Sequence, residues 1–377
     1  VLLSFAANYA LGGLDVVGYH LTNVAIHLLA ALTLYGLLRR SLRLRGEAAA
    51  TGLAASASLL WALHPLQTQS VTYLVQRSES LMGLLALLTL YSLTRAAESP
   101  TPRGWSALAV AACCLGMATK PVMVTVPLLA LCYDASCLAG SLRQAWQRRR
   151  GLYWGLAASW LLLAALLLGR PEPTPTAGFG LTSLSPGAYL RTQPAVLVHY
   201  LRLVCWPQPL VLDYAWPVAR HWQEIGPPSL LLAGLLLATI LAWRRHRPVG
   251  GLAAAAWLAL APTSLIPLAD LAFEHRLYLA LAPLLILAVL GAWHLLKRLP
   301  GRAPGLVGRG GVVGAGVFST LDYLLGKGYF FAPLVSILIG FSVLLSERKK
   351  ILLITFFGGL LFLSACLSGL RVLFGED

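Results

Sequence analysis

Runs of apolar residues long enough to cross a bilayer, separated by short arginine-rich loops, constrain this chain more than any other feature. The first run, Tyr19–Leu38, has about the twenty residues that a helix needs to span the hydrocarbon core, and it ends in Arg39, Arg40, Arg43 and Arg45. Similar runs recur near residues 49–63, 81–94, 105–119, 121–133, 151–168, 229–243, 250–268 and 277–296. Several are short, so crossing requires tilt or extension into the flanks. Soluble domains carry about a quarter charged residues; here only 11% are charged, 58% are hydrophobic and the mean hydropathy is +0.74. The fold expected is therefore all-α, a polytopic integral membrane protein, with about nine spans in residues 1–298 and two or three more in the tail. Gly311–Leu325 is short and glycine-rich for a span.

The net charge of +15 would suggest a nucleic-acid partner in a soluble protein. In a membrane protein the same residues orient the helices, because loops rich in Lys and Arg stay cytoplasmic. If the Arg39–Arg45 loop is cytoplasmic, alternation places Arg95–Arg103, Arg143–Arg150, Arg244–Arg247 and Lys297–Arg309 on the same side. Those five loops with their flanks hold 17 Lys and Arg against three acids (Glu47, Glu98 and Asp134), whereas the opposite-side segments up to residue 300 hold seven of each. This balance requires that Arg170–Pro228 be wholly external, with Tyr189–Cys205 as a re-entrant or interfacial helix; Pro194, His199 and Arg202 interrupt its apolar pattern. Trp206, Trp216 and Trp222 in that region suit a membrane interface. The six cysteines (113, 114, 132, 137, 205 and 366) show no CxxC or metal-ligand spacing, and no metal is expected.

That arrangement gathers the ionisable residues of one face. The polar stretch His64–Ser80, HPLQTQSVTYLVQRSES, carries His64, Gln76, Arg77 and Glu79; Lys120 and Asp270–Arg276 fall on the same non-cytoplasmic side. On a helix Arg77 and Glu79 point to different sides, so the stretch reads as groups fanning out around a cavity. Ionisable groups at membrane depth are costly and mark functional sites by default. Plainer readings exist for each: an interfacial Arg77–Glu79 salt bridge, a snorkelling Lys120, and Glu274, His275 and Arg276 merely flanking a span.

HPLQTQSVTYLVQRSESLMGLLALLTLY, then ATKPVMVTVPLLALCYD, then FEHRLYLALAPL, resemble the polytopic GT-C glycosyltransferases, and within them the transmembrane O-mannosyltransferase-like proteins that carry tetratricopeptide repeats. GYHLTNVAIHLL is similar to an early span of that family, and the resemblance covers residues 1–298. It implies a GT-C-like bundle that takes a mannose-like sugar from a polyprenyl-phosphate donor to a protein or other hydroxyl acceptor, in a bacterial inner membrane with the site facing the periplasm. No cofactor beyond the lipid-linked sugar is implied. Such a transfer needs cations for the departing phosphate and an acid–base group for the acceptor hydroxyl. Arg77, Lys120 and Arg276 are the candidate phosphate binders; His64, Gln76, Glu79, Glu274, His275 and Tyr278 are candidates for sugar hydroxyls or for orienting the cations. The family's catalytic acid sits in a loop after a first span that is expected to lie upstream of these residues, and Asp15 is the only acid near that place. On that expectation the base falls outside the chain.

After residue 298 the usage changes. GRAPGLVGRGG forms a Gly-rich joint over 299–310, and residues 311–377 are similar to the membrane-anchor region of FtsK/SpoIIIE-type DNA translocases, with LLGKGYFFAPL between apolar runs. The abrupt change is what a joint between two genes produces. No GxxxxGK[ST] phosphate loop is present, so no motor and no nucleic-acid partner are expected; the partners expected are the bilayer, a lipid-linked sugar and an acceptor protein. No feature specifies an oligomeric state. The alternative function is a non-catalytic membrane anchor or scaffold.

Overall fold

The computed structural model of the chain describes residues 1–169, 178 and 184–298. Residues 170–177 and 179–183, expected in an external loop, the joint 299–310 and the tail 311–377 lie outside the described residues, together with the expectations placed on them.

Twelve α-helices and no strands occur among the described residues: α1 (Leu2–Gly12), α2 (Val16–Leu44), α3 (Ala50–Leu63), α4 (Thr68–Thr72), α5 (Arg77–Glu98), α6 (Pro102–Thr119), α7 (Val126–Tyr133), α8 (Leu142–Leu168), α9 (Pro186–Cys205), α10 (Trp222–Arg245), α11 (Arg247–Leu265) and α12 (Leu277–Lys297). The protein is an all-α, polytopic membrane protein. Seven described segments are long and apolar enough to cross a bilayer: α2, Leu74–Glu98, Pro121–Leu138, α8, α10, α11 and Glu274–Leu295. Each coincides with an expected span. The other two expected segments, 49–63 and 105–119, are also helical but fall outside the seven. At 1.5 Å per residue the 14-residue α3 is only about 21 Å long, and the 18-residue α6 opens with Pro102, Arg103 and Gly104, which dilute its apolar character.

The chain divides into two units, Val1–Ala50 with Ala57–Val289, and Thr51–Ser56 with the chain from Leu290. The described part of the second unit is the start of α3 and the end of α12; the site lies in the first. There α5 packs along both α2 and α6, α6 along α8, and α11 along α7 and α10. One end of this unit is clamped by Asp134, which is fully buried in the wide turn after α7. Asp134 accepts from Arg149 Nη1 at 2.7 Å and from the Tyr153 hydroxyl. Next to it the Tyr133 hydroxyl bridges Ser41 and Thr94 at 2.6 and 2.8 Å.

At the other end, prolines break the helices. The residue before a proline is pushed out of the α region by the ring's Cδ. His64 before Pro65 (φ −65°, ψ 133°) therefore ends α3, and Lys120 before Pro121 (φ −153°, ψ 135°) ends α6. A 3₁₀ turn, Glu274–Arg276, opens α12 and packs against the turn Pro65–Gln67 and against α4. The region expected to be a re-entrant or interfacial helix forms α9, whose Tyr189, Thr192, Gln193, Val196, Tyr200 and Leu203 make one buried face.

Candidate functional site

The proline-made breaks bring charged side chains from distant parts of the sequence into one buried group. Glu79, in the first turn of α5, forms an ion pair with Lys120 at the end of α6; their side chains are 2% and 22% exposed. Moving a carboxylate into a low-dielectric interior is costly without such a partner. His275 lies within electrostatic reach of both Lys120 and Arg276. Its backbone N–H and its Nδ1 both meet Gln69 Oε1, at 2.9 and 2.8 Å, so Nδ1 carries the proton and Nε2 remains an acceptor. Arg276 donates to the carbonyls of Leu271 and Asp270 at 2.9 and 2.6 Å. It also stands beside the phenols of Tyr189 and Tyr200; burial raises both phenol pKa values and the guanidinium opposes that shift.

Tyr278 forms the floor. Its hydroxyl meets His27 Nδ1 at 2.9 Å, His27 Nε2 donates to Ala62 O, and the Trp61 indole donates to Tyr278 O at 3.0 Å. The three rings pack with centroids 5.0–5.7 Å apart, and Tyr278 lies within electrostatic reach of Glu79. The segment between α9 and α10 closes the group. Glu274 Oε1 accepts from the Val211 N–H and the Tyr214 hydroxyl, both at 2.8 Å, and Gln69 Nε2 donates to Leu212 O at 3.1 Å. Burial and the neighbouring Glu274 carboxylate push the Tyr214 phenol up.

Of the residues expected at a site, the fold thus brings together Glu79, Lys120, Glu274, His275, Arg276 and Tyr278. Four stand apart. Arg77 turns away from Glu79, so the plainer Arg77–Glu79 pairing does not form; its guanidinium binds α1 and α2 instead. His64 staples α3 to α9: its Nδ1 accepts the Leu66 N–H and its Nε2 donates to Val204 O, each at 3.2 Å. Burial lowers its pKa to about 4 against the opposing bond to Val204. Gln76 precedes α5 without capping it through its side chain. Asp15 is exposed and caps α2 through the Val17 N–H.

Sequence reasoning passed over Gln69, His27 and Tyr214, whose importance rests on contacts across 206, 251 and 60 residues. It also passed over Gln67 and Ser70. Both are buried, and the Gln67 amide atoms and Ser70 Oγ have no hydrogen-bond partner among the described residues, which is unusual for buried polar groups. The signal was present, since both belong to the polar stretch after His64, but its local pattern did not single them out. Among the described residues no group of three or more His, Cys, Asp or Glu is placed to hold a metal ion. A concavity of about 740 Å³ lined by Pro100–Trp105 and Leu108 lies at the α5–α6 turn. The 19 residue steps of α5 from Glu79 to Glu98 put that turn about 28 Å from Glu79, so it is separate from the charged group.

No family model matches the chain, and no solved structure does. It is similar to curated protein O-mannosyl-transferases. Tmtc2 of Drosophila melanogaster is 27% identical over 257 residues, 64% of this chain and 26% of that protein. TMTC2 of Mus musculus is 37% identical over 138 residues, 35% of this chain and 16% of the mouse protein. In tmtc2 of Xenopus laevis the identity is 42% over 89 residues, 23% of this chain and 10% of that protein. The matches thus span between a tenth and about a quarter of these relatives' lengths. They support a membrane protein of a glycosyltransferase-like family.

Proposed function

We propose that the protein is a membrane glycosyltransferase that moves a mannose-like sugar from a polyprenyl-phosphate donor to a hydroxyl of a protein or other acceptor on the non-cytoplasmic face. The observation that carries this reading is the buried group in which His275 sits within electrostatic reach of two cations, Lys120 and Arg276. Lys120 is already balanced by Glu79, whereas the hydrogen bonds of Arg276 described above go to backbone carbonyls. Arg276 therefore retains a charge to offer an anion, and a guanidinium suits phosphate oxygens better than an ammonium does.

In the transfer, the bond from the anomeric carbon to the phosphate oxygen breaks and the acceptor oxygen bonds to that carbon. Charge grows on the departing phosphate, where prepositioned donors lower the barrier most; Arg276, with Lys120, supplies them. The acceptor proton needs a base. Nδ1 of His275 is committed to Gln69, so its Nε2 can accept a hydrogen bond from a sugar or acceptor hydroxyl, but burial and the flanking Lys120 and Arg276 oppose its taking a proton, and the base role is not assigned to it. Gln67 and Ser70 offer unspent hydrogen-bonding capacity for sugar hydroxyls. The outward placement rests on the arginine asymmetry of the loops. For the tail, 311–377, the reading keeps the membrane-anchor role suggested by its resemblance to the translocase anchor.

The test is transfer of labelled mannose from polyprenyl-phosphate mannose to a hydroxyl acceptor by the full chain in nanodiscs. Arg276→Ala is expected to lower kcat by about 100-fold, the usual effect of removing one transition-state donor, with Arg276→Lys intermediate. Equal turnover in wild type and Arg276→Ala would remove the assignment.

A further inference from the structure

Arg77 is the most deeply buried cation described, with no exposed surface, and no carboxylate among the described residues pairs with it. Its Nε donates to Asn23 Oδ1 at 2.6 Å and its Nη2 to Tyr19 O at 3.0 Å, both on α2. Its Nη1 donates to Ser4 Oγ at 3.1 Å and Asn8 Oδ1 at 2.7 Å, both on α1. The Phe5 ring covers the guanidinium at 4.2 Å. All four acceptors are neutral. A buried charge held only by neutral groups keeps most of its desolvation cost, and Arg77 is also the first residue of α5, where the helix dipole adds positive potential.

The two sides of this cage differ. α2 is built into the bundle and buries Asn23, His27, Ala30 and Leu34 among others. α1 buries no residue; Leu2, Leu3 and Leu11 are 84–89% exposed. Its described polar ties to the rest of the chain converge here: Ser4 and Asn8 to Arg77, Asn8 Nδ2 to Gly18 O and Thr22 Oγ1, and Tyr19 to the carbonyl of Gly13 just beyond the helix. Ser4 and Asn8 together occupy the Nη1 edge of the guanidinium.

We propose that Arg77 is a second anion site, distinct from the Lys120–Arg276 group, for a phosphate monoester or free phosphate, and that α1 is its built-in, displaceable occupant. An entering phosphate takes over the Nη1 edge from Ser4 and Asn8 and supplies the missing negative charge. The Asn23 and Tyr19 contacts hold the guanidinium in place while α1 leaves. The site does not depend on sugar transfer and stands or falls separately from it.

Binding of inorganic phosphate and of farnesyl monophosphate, read by calorimetry in detergent micelles, tests this on the full chain carrying Arg276→Ala, which removes the Lys120–Arg276 site proposed above; the variants below are made in that background. Asn8→Ala removes the competing acceptor and is expected to tighten binding about tenfold, the worth of one hydrogen bond to a charged group. Asn8→Asp places a carboxylate on Arg77 and is expected to abolish binding while raising the melting temperature, which shows that the variant folds. Arg77→Gln is expected to lose binding. Hydrogen exchange of α1 amides should rise when the Arg276→Ala parent binds. Response to both probes identifies the phosphate group as the ligand chemistry, and response to farnesyl monophosphate alone identifies a lipid headgroup. Absence of binding of either probe to Asn8→Ala, equal affinity of Asn8→Ala and Asn8→Asp, or retained binding by Arg77→Gln overturns the proposal.

Discussion

Lys120→Met tests whether the Glu79–Lys120 pair organises the buried group. Methionine keeps the length and apolar stem of lysine and removes the charge. Glu79, 2% exposed, then loses the cation that pairs with it among the described residues. Breaking a buried pair by removing one partner costs about 3–5 kcal/mol. At about 2 °C per kcal/mol for a chain larger than 200 residues, the melting temperature should fall by roughly 6–10 °C. The reverse change should be milder. Glu79→Gln leaves Lys120, whose side chain is 22% exposed and can extend its ammonium towards water, so about 1–2 kcal/mol is expected, the cost of a lost charged hydrogen bond. The double variant should resemble Glu79→Gln alone, because the isolated carboxylate is gone. Thermal unfolding of the four proteins in one detergent closes the cycle. If Lys120→Met melts within 2 °C of wild type, or if the double variant shows the sum of the two single losses, the pair is not the structural centre described here.

Two further outcomes follow from the same geometry. A Cβ at Gly83 would stand 2.4 Å from the Tyr278 ring, so Gly83→Ala should cost about 1–3 kcal/mol through overpacking and alter the near-UV circular dichroism of the Trp61–His27–Tyr278 cluster. His64 gives a pH dependence. Its folded pKa is about 4 against an ordinary 6.5, so the unfolded chain binds more protons between those values. The stabilisation is complete above pH 6.5 and is lost as the pH falls to 4, up to about 3 kcal/mol in all. His64→Asn, which retains an acceptor for the Leu66 N–H and does not titrate, should flatten the fall in melting temperature between pH 7 and 4.5; an unchanged slope would assign the acid sensitivity to other groups.

The spans and the location of the polar breaks were readable from the chain alone, and seven of the expected segments return as membrane-length helices. Transfer of apolar surface out of water adds up along a contiguous run, so a linear sequence reports it well. The ends of α3 and α6 were readable for a similar reason, since Pro65 and Pro121 act on the residue next to them. Even the divergence of Arg77 and Glu79 followed from helical spacing.

Partner choice was not readable in this way. Glu79 takes Lys120, 41 positions away; His27 takes Tyr278 across 251; Arg77 takes acceptors on α1 and α2 rather than joining the other cations. Charge and polarity made all of these residues candidates, but a side chain's partner depends on which helices pack side by side and how each is rotated. Those choices minimise the desolvation of many groups at once. The polar stretch after His64 thus divides between two places: Gln69 and Glu79 reach the charged group beside the α9–α10 segment, while Arg77 reaches the cage under α1.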